Sequence, residues 1–400
     1  MTGLIVASGL GCLAAPGNSL DAAHQSMLAG LRSPGASRRL NLDLERELPV
    51  FEIESDLLDE LDRHAFDGRG WFRTTRLTVL AALEALNQAG LEPAALQPLR
   101  VGVCLGTTVG CTLNDEPFYA ALRGGQRPEP APALRYQANN PALHLSRLFQ
   151  LDGPVATIAN ACSSGTDAIG RAAAWLREGR CDLALAGGSD ELSRVTCLGF
   201  SSLMITSGAA CRPFDRRRDG LNLGEGAGVL VLETEAGRER RRAPAPQGLV
   251  LGYGCSADGY HTTAPHPEGK GLRRAIRKAL DEARIDASAI GLVNAHGTST
   301  RDNDQVEGRV LADLFEDAVP VVSTKAYTGH TLGAAGALEA IFTLRQLRDG
   351  EVPATAGFAE PDPECRILPT VSRTTVRAEW ALSNSLAFGG NNSALVLRRA

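Results

Sequence analysis

The sequence predicts an α/β fold with buried, largely parallel sheets. Three observations carry that prediction. Short runs rich in Val, Ile and Leu recur along the chain and alternate with longer stretches of helical period. The apolar runs are continuous, as in strands covered on both faces, and do not alternate with polar residues. Glycines are abundant, 43 in 400 residues, which suits tight turns and close backbone packing.

Taken in order, the strand candidates are GLIVASG (3–9), VGVCLGTT (101–108), VATIANA (155–161), LALAGGS (183–189) and GVLVLE (228–233). They continue with GLVLGYG (248–254), IGLVNAHG (290–297), VPVVST (319–324), WALSNSLAFG (380–389) and SALVLR (393–398). Helical period marks 76–90, 163–179, 271–284 and 333–350. The chain echoes itself: VGVCLGTT resembles LVNAHGTS, and CDLALAGGS resembles WALSNSLAFGG. Charge and proline interrupt the pattern at RERRRAPAPQG, so the expected division is 1–244 and 245–400.

Composition narrows the function. Hydrophobic residues make up 44% and charged residues 22%, ordinary for a globular enzyme. A net charge of −5 argues against bulk nucleic-acid binding. No run has the apolar length of a membrane span, and the start lacks a charged segment before its apolar stretch, so a cytoplasmic location is expected. Nine cysteines, an odd number with no C-x-x-C pair, fit a reducing compartment and give no zinc spacing, so no metal site is expected.

One cysteine stands apart. Cys162 in NACSSGTDAIG follows the run VATIA and precedes a helix with apolar positions Ala168, Ile169, Ala172, Ala173 and Leu176. A buried core cysteine is the plain reading. The other is a nucleophile in a tight strand-to-helix turn, where unpaired amides and the helix dipole favour a thiolate. Small neighbours, Ser163, Ser164 and Gly165, leave room for a substrate. Of seven histidines, His296 and His330 likewise follow strand ends, where α/β folds gather ligands. Lys325 and Glu339 flank His330 in a segment too apolar to solvate a lysine easily, which suits a buried pair. In LAFGGNN, the amide of Phe388 could join that of Cys162 in an oxyanion hole, with Gly389 letting the backbone approach; a plain β-turn fits equally.

Together these segments resemble the β-ketoacyl–acyl-carrier-protein synthases, in their elongating, Cys-His-His branch. The resemblance rests on NACSSGTDAIG, NAHGTST, STKAYTGHTLGAAGALE, NSLAFGGNN, CRPFDRRRDGLNLGEGAGVLVLE and SADGYHTTAP, all in the family's order. It implies the thiolase fold: two pseudo-repeated halves in five layers, α-β-α-β-α, usually in a homodimer. It implies acyl transfer to Cys162, then decarboxylation of malonyl-carrier protein assisted by His296 and His330. Lys325 would hold the electrostatics and position around His330, with Glu339 as its partner. Phe388 and Gly389 would form oxyanion hole and gate. Thr298 and Thr300 would bind the phosphopantetheine arm. Arg212 and Arg216, with Arg217 and Arg218 beside them, would dock the acidic carrier protein, although a solvated loop explains the last three as well. No cofactor is implied.

Some positions depart from the family. Ala387 replaces the usual gate glycine, Asn391 a threonine, and Asn160 a threonine or serine. They leave room for a specialised polyketide or aryl-polyene pathway beside fatty-acid synthesis. The segment 105–118 is expected to line the acyl tunnel or the dimer seam. Three other readings stand beside this one. A thiolase acting on coenzyme A esters would need a second, late cysteine. A non-catalytic chain-length partner would have lost the nucleophile, although this chain could still pair with such a partner as a heterodimer. A nucleotide-binding oxidoreductase would use Gly9, Gly11 and Ala14 as a G-x-G-x-x-A turn. No G-x-S-x-G elbow of a serine hydrolase occurs.

Overall fold

The computed structural model describes residues 3–43, 47–108, 116–131, 134, 140–315 and 319–400. All ten expected runs form strands: β1 (Ile5–Ala14), β2 (Val101–Gly106), β3 (Val155–Ile158), β4 (Leu183–Asp190), β5 (Gly226–Thr234), β6 (Gly248–Ala257), β7 (Ile290–Asn294), β8 (Val321–Val322), β11 (Trp380–Ala387) and β12 (Asn391–Arg398). A small hairpin, β9 (Glu351–Val352) with β10 (Thr374–Thr375), was not expected. Its segments, Glu-Val and Thr-Thr, lack the apolar run that marks β8, which is equally short.

The strand order is β3-β2-β4-β5-β1, then β6-β12-β11-β7-β8. With the small hairpin set aside, each set of five runs third, second, fourth, fifth, first. The two sets join along one edge, where Val6 and Ala7 of β1 pair with Leu249 and Gly248 of β6. The echoes in the sequence therefore match equivalent strands: β2 with β7, and β4 with β11. The expected division at 244/245 falls in the turn between helix Glu235–Arg240 and β6.

The sheets are mixed rather than largely parallel. β3-β2-β4 and β8-β7-β11 are parallel, but β4-β5-β1 and β11-β12-β6 are antiparallel. A strand buried on both faces reads the same in either direction, so the apolar runs could not distinguish the two.

Helices fill three layers. Ser164–Arg177 and Ala335–Asp349 lie between the sheets, each touching strands of both. The second is buried from Ala335 to Leu347, which explains why it carries almost no polar face. Outside, Arg73–Gln88 covers β1 and β5, and Lys270–Ala283 covers β6 and β12. This is the five-layer arrangement.

The glycines of β1 serve packing. A Cβ on Gly9 would lie 1.9 Å from the Ala85 carbonyl oxygen, and one on Gly11 2.1 Å from that of Ala81. The same device recurs in β6, where Gly252 and Gly254 face the carbonyls of Ala279 and Ala275 at 2.0 and 2.1 Å. Two glycines at i and i+2 thus seat two carbonyls one helical turn apart. Gly9 and Gly11 lie within the strand, so the G-x-G-x-x-A nucleotide-turn reading fails.

Candidate active site

Three of the site segments leave the carboxyl ends of neighbouring parallel strands. His296 follows β7, the His330 loop follows β8, and Phe388 follows β11, so all emerge at one end of the second sheet. Cys162 follows β3 of the first sheet in a short turn, Ala161–Ser163, ahead of the central helix. Ala161 takes a positive φ of 49°, a sharp elbow that aims the next side chain out of the turn.

The three reactive groups meet. His330 Nε2 lies 3.1 Å from Cys162 Sγ, and the two imidazole rings stand edge to face with centroids 5.3 Å apart. Their other nitrogens are occupied. His330 Nδ1 accepts from the Leu332 amide at 3.2 Å. Lys325 bonds His296 and not His330, the neighbour the sequence suggests: its Nζ lies 2.9 Å from His296 Nδ1, and an ammonium can only donate. Each ring therefore carries its proton on Nε2. Burial pushes both histidines well below their usual range, with the charge of Lys325 adding to it. They are neutral N–H donors, and His330 points its donor at the sulfur.

Those contacts also bear on metal binding. Cys162 Sγ and a nitrogen from each ring lie within 4.8 Å of one another. A sulfur and two imidazoles could serve zinc, but Nε2 offers a proton here and Nδ1 is engaged, so no imidazole lone pair is free for an ion.

The sulfur itself departs from expectation. Burial raises the Cys162 thiol to about 11, opposed by Lys325 and by the Phe388 amide, which donates to the sulfur. Desolvation outweighs both of these, which favours the thiol over the thiolate. The donors around it lower the cost of ionisation when substrate arrives.

Lys325 and Glu339 form a buried ion pair, each 2% exposed. Burial lifts the Glu339 carboxyl to about 7, and Lys325 pulls against that. A cavity of 470 Å³ opens onto Cys162, His296 and His330. Thr298 and Thr300 line it, their hydroxyls 2.9 Å apart. Phe388 also lines it and stacks on Phe200, with centroids 5.5 Å apart and ring planes 12° from parallel. Gly389 and Gly390 take positive φ, 80° and 75°, whereas Ala387 is extended at φ −129°. The Cβ at 387 is therefore unstrained, and the turn's unusual geometry rests on the two glycines after Phe388.

The arginine cluster divides. Arg216 and Arg217 are exposed but pair with Glu360. Arg212 is half-buried, its amide donating to Ser299 Oγ at 2.9 Å. Arg218 is internal: it pairs with Asp362 and donates to the carbonyls of Thr300 and Arg301. It supports the Thr298–Thr300 loop, which corrects its reading as part of a solvated loop. Half of the segment expected at the acyl tunnel or dimer seam (105–118), residues 109–115, lies outside the described residues.

Sequence reasoning missed the carboxylates that hold these groups. Glu307 accepts the amides of His296 and Gly297 at 2.6 and 2.7 Å. Asp190, at the end of β4, accepts from the Thr107 hydroxyl and from the amides of Thr108 and Gly333, which fixes the turn after His330 to β2. Phe200 was missed as well. The one available signal was the run of Asn303, Asp304 and Glu307 beside Val306 and Val310, polar groups on the inner face of a helix.

A two-halved α/β fold with an elbow cysteine and two neutral imidazole donors defines an enzyme class that transfers acyl groups through a thioester. The comparisons specify the family. The Beta-ketoacyl synthase N-terminal domain matches residues 4–237 and its C-terminal domain residues 247–359. The chain is 35% identical to the tetracenomycin polyketide synthase ketoacyl synthase alpha subunit of Streptomyces glaucescens, covering 99% of this chain and 97% of that one. It is 34% identical to 3-oxoacyl-[acyl-carrier-protein] synthase 2 of Staphylococcus aureus (strain COL), over 99% and 98%. A solved structure, the ishigamide ketosynthase/chain length factor, superposes with a TM-score of 0.93 at 29% identity over the full length of both chains. This protein belongs to the β-ketoacyl synthase family.

Proposed function

We propose that the protein catalyses decarboxylating Claisen condensation between an acyl group on Cys162 and malonyl-carrier protein. The product is a β-ketoacyl-carrier protein longer by two carbons. The observation that carries this reading is the arrangement of one buried sulfur and two neutral imidazoles that present N–H groups to the same cavity.

In the first step the Cys162 sulfur attacks the carbonyl carbon of an acyl thioester. The amides of Cys162 and Phe388 receive the oxyanion. The bond to the carrier's arm then breaks, and the arm leaves as a thiol with the proton that Cys162 gives up. Malonyl-carrier protein next occupies the cavity, its arm against Thr298 and Thr300. Its bond to the carboxylate breaks, carbon dioxide leaves, and the electron pair becomes an enolate. The Nε2–H groups of His296 and His330 stabilise the enolate oxygen. The Lys325–Glu339 pair holds the His296 tautomer and supplies a buried positive charge behind it. The enolate carbon attacks the acyl carbonyl, the bond to Cys162 breaks with its electron pair going to sulfur, and a proton from solvent returns the thiolate to the thiol. Neutral donors suit this work, since a general base is not needed to release carbon dioxide.

Phe388, stacked on Phe200, serves as a gate between the acyl and malonyl steps, with Gly389 as its hinge. Arg212 is the better candidate for carrier docking, because Arg216 is already engaged with Glu360. The names of the relatives support both fatty-acid and polyketide chain building, and the protein works as a dimer, with itself or with a chain-length partner. We place it in the cytoplasm; among the described residues no helix is long and apolar enough to cross a membrane. The halves 1–244 and 245–400 are proposed as its two structural units. The thiolase reading lacks support, because Phe388 occupies the late loop where a second cysteine would act.

The test is intact-protein mass spectrometry after incubation with a panel of acyl-carrier proteins. The wild type gains an acyl group and Cys162→Ala gains none. His330→Ala still accepts acyl groups, more slowly, and releases no carbon dioxide from malonyl-carrier protein. Normal release by that variant would contradict its role.

A further inference from the structure

A buried carboxylate one turn beyond the nucleophile has no part in the chemistry above. Asp167 is 6% exposed, and its two oxygens receive four side-chain donors. Oδ2 accepts from Asn160 Nδ2 and from Ser163 Oγ, both at 2.9 Å. These residues stand two before and one after Cys162. Oδ1 accepts from the Tyr253 hydroxyl at 2.8 Å and from the Ser393 hydroxyl. Tyr253 lies on β6 and Ser393 on β12, in the sheet that carries both histidines.

A carboxylate in the first turn of a helix can simply answer the helix dipole. Such a group does so from the surface, where its charge stays hydrated. Asp167 is instead desolvated, which is costly unless its hydrogen bonds are filled, and every partner is a side chain with a proton to give. The surroundings are shaped for it. A Cβ on Gly170 would lie 2.3 Å from the Tyr253 ring, so the missing side chain leaves the slot through which the hydroxyl reaches Asp167. Thr166 Oγ1, next in the helix, contacts Ser385 Oγ of β11 at 2.9 Å. The elbow is thus tied on both sides of Cys162 to one anion, and that anion is tied to the opposite sheet.

We propose that Asp167 is the positioning residue of the nucleophile, fixing the Cys162 elbow relative to the half that bears His296 and His330. It rests on the reading of Cys162 as the acylated residue. Asn160 fits the role, since its amide donates to Asp167 while its own NH is held by Ser164 Oγ at 2.8 Å. The 3.1 Å approach of sulfur to imidazole depends on this register, which no contact within the first half can set.

Two variants test it. Asp167→Asn puts an amide NH₂ among four donors. Tyr253→Phe keeps the ring over Gly170 and removes only the hydroxyl, so its packing survives. The rate of Cys162 acylation is measured by rapid quench and mass spectrometry. Carbon dioxide release from malonyl-carrier protein is measured in a Cys162→Ala background, which does not use the sulfur. Displacing a reacting group slightly costs about ten- to a hundredfold in rate, so acylation falls by that factor in Asp167→Asn and by about three- to tenfold in Tyr253→Phe. Release in the Cys162→Ala background stays within about twofold of its parent, because the imidazoles are held by Glu307, Lys325 and the Leu332 amide. Acylation at the wild-type rate in both variants overturns the proposal, as does an equal loss in both half-reactions, which would mark a general loosening. Failure of the wild type itself to load Cys162 would instead overturn the underlying reading.

Discussion

Replacing Lys325 by methionine removes two contacts at once, and the structure separates their effects. Lys325 Nζ lies 2.9 Å from His296 Nδ1 and pairs with Glu339. Both ends of the ion pair are buried, so removing one leaves an uncompensated charge, typically worth about 3–5 kcal/mol of stability. Glu339 relieves part of that by taking up a proton, since its carboxyl already sits at about 7 with Lys325 in place. The catalytic effect has another origin. The His296 ring keeps its place, because Glu307 clamps the backbone of His296 and Gly297. Its tautomer is no longer imposed, and the positive charge behind the enolate is gone. Loss of one oxyanion donor lowers a rate by about 10²–10³, and we expect a loss of that order in carbon dioxide release. The double variant Lys325→Met/Glu339→Leu removes the orphaned carboxyl, and apolar replacement of a buried pair is neutral or stabilising. Thermal unfolding should therefore recover in the double variant while the rate does not. Recovery of the rate together with stability would refute the reasoning and reduce the pair to a packing element.

Four further outcomes are expected. With its thiol at about 11, Cys162 should be alkylated by iodoacetamide at a rate that climbs about tenfold per pH unit from 7 to 9; a plateau below pH 8 would reveal a preformed thiolate. Gly11→Ala should lower stability by about 1–3 kcal/mol, because its Cβ meets the Ala81 carbonyl; an unchanged melting temperature would contradict the packing argument. Burial raises Glu84 from 4.5 to about 7, so its contribution is full below about pH 4.5 and is lost as pH rises through 7. Between those limits the wild type should lose roughly 3 kcal/mol relative to Glu84→Gln, and parallel stability–pH curves would be inconsistent with this. Arg218→Ala breaks a buried pair under the Thr298–Thr300 loop and should destabilise by about 3–5 kcal/mol; a loss within 0.5 kcal/mol, the ordinary surface range, would return Arg218 to the solvated loop.

The sequence disclosed much of this architecture, and the reasons differ by element. The ten longer runs became strands because apolar residues were consecutive and were bounded by turn residues. The echo of β2 in β7 and of β4 in β11 was visible because equivalent strands end at equivalent turns. Strand direction was not visible, since burial on both faces erases the pattern that would have marked it. Cys162, His296 and His330 were legible because each stands just past a strand end in a glycine-rich turn. Asp190 and Asp167 were not, because their bonds to Gly333, and to Tyr253 and Ser393, exist only once the two halves close; Glu307 was not, because its hold on the His296 and Gly297 amides depends on how its helix packs under that loop. The thiolate expectation failed for a related reason. The helix terminus could be read locally, whereas the desolvation that opposes it comes from the whole fold.

The central claim is that the sulfur of Cys162 carries the growing chain. Peptide mapping by mass spectrometry after exposure to acyl-carrier protein addresses it most directly. The account predicts one acyl group, on the peptide containing residue 162, lost on Cys162→Ala. An acyl group found on another residue, or retained undiminished by that variant, would contradict it.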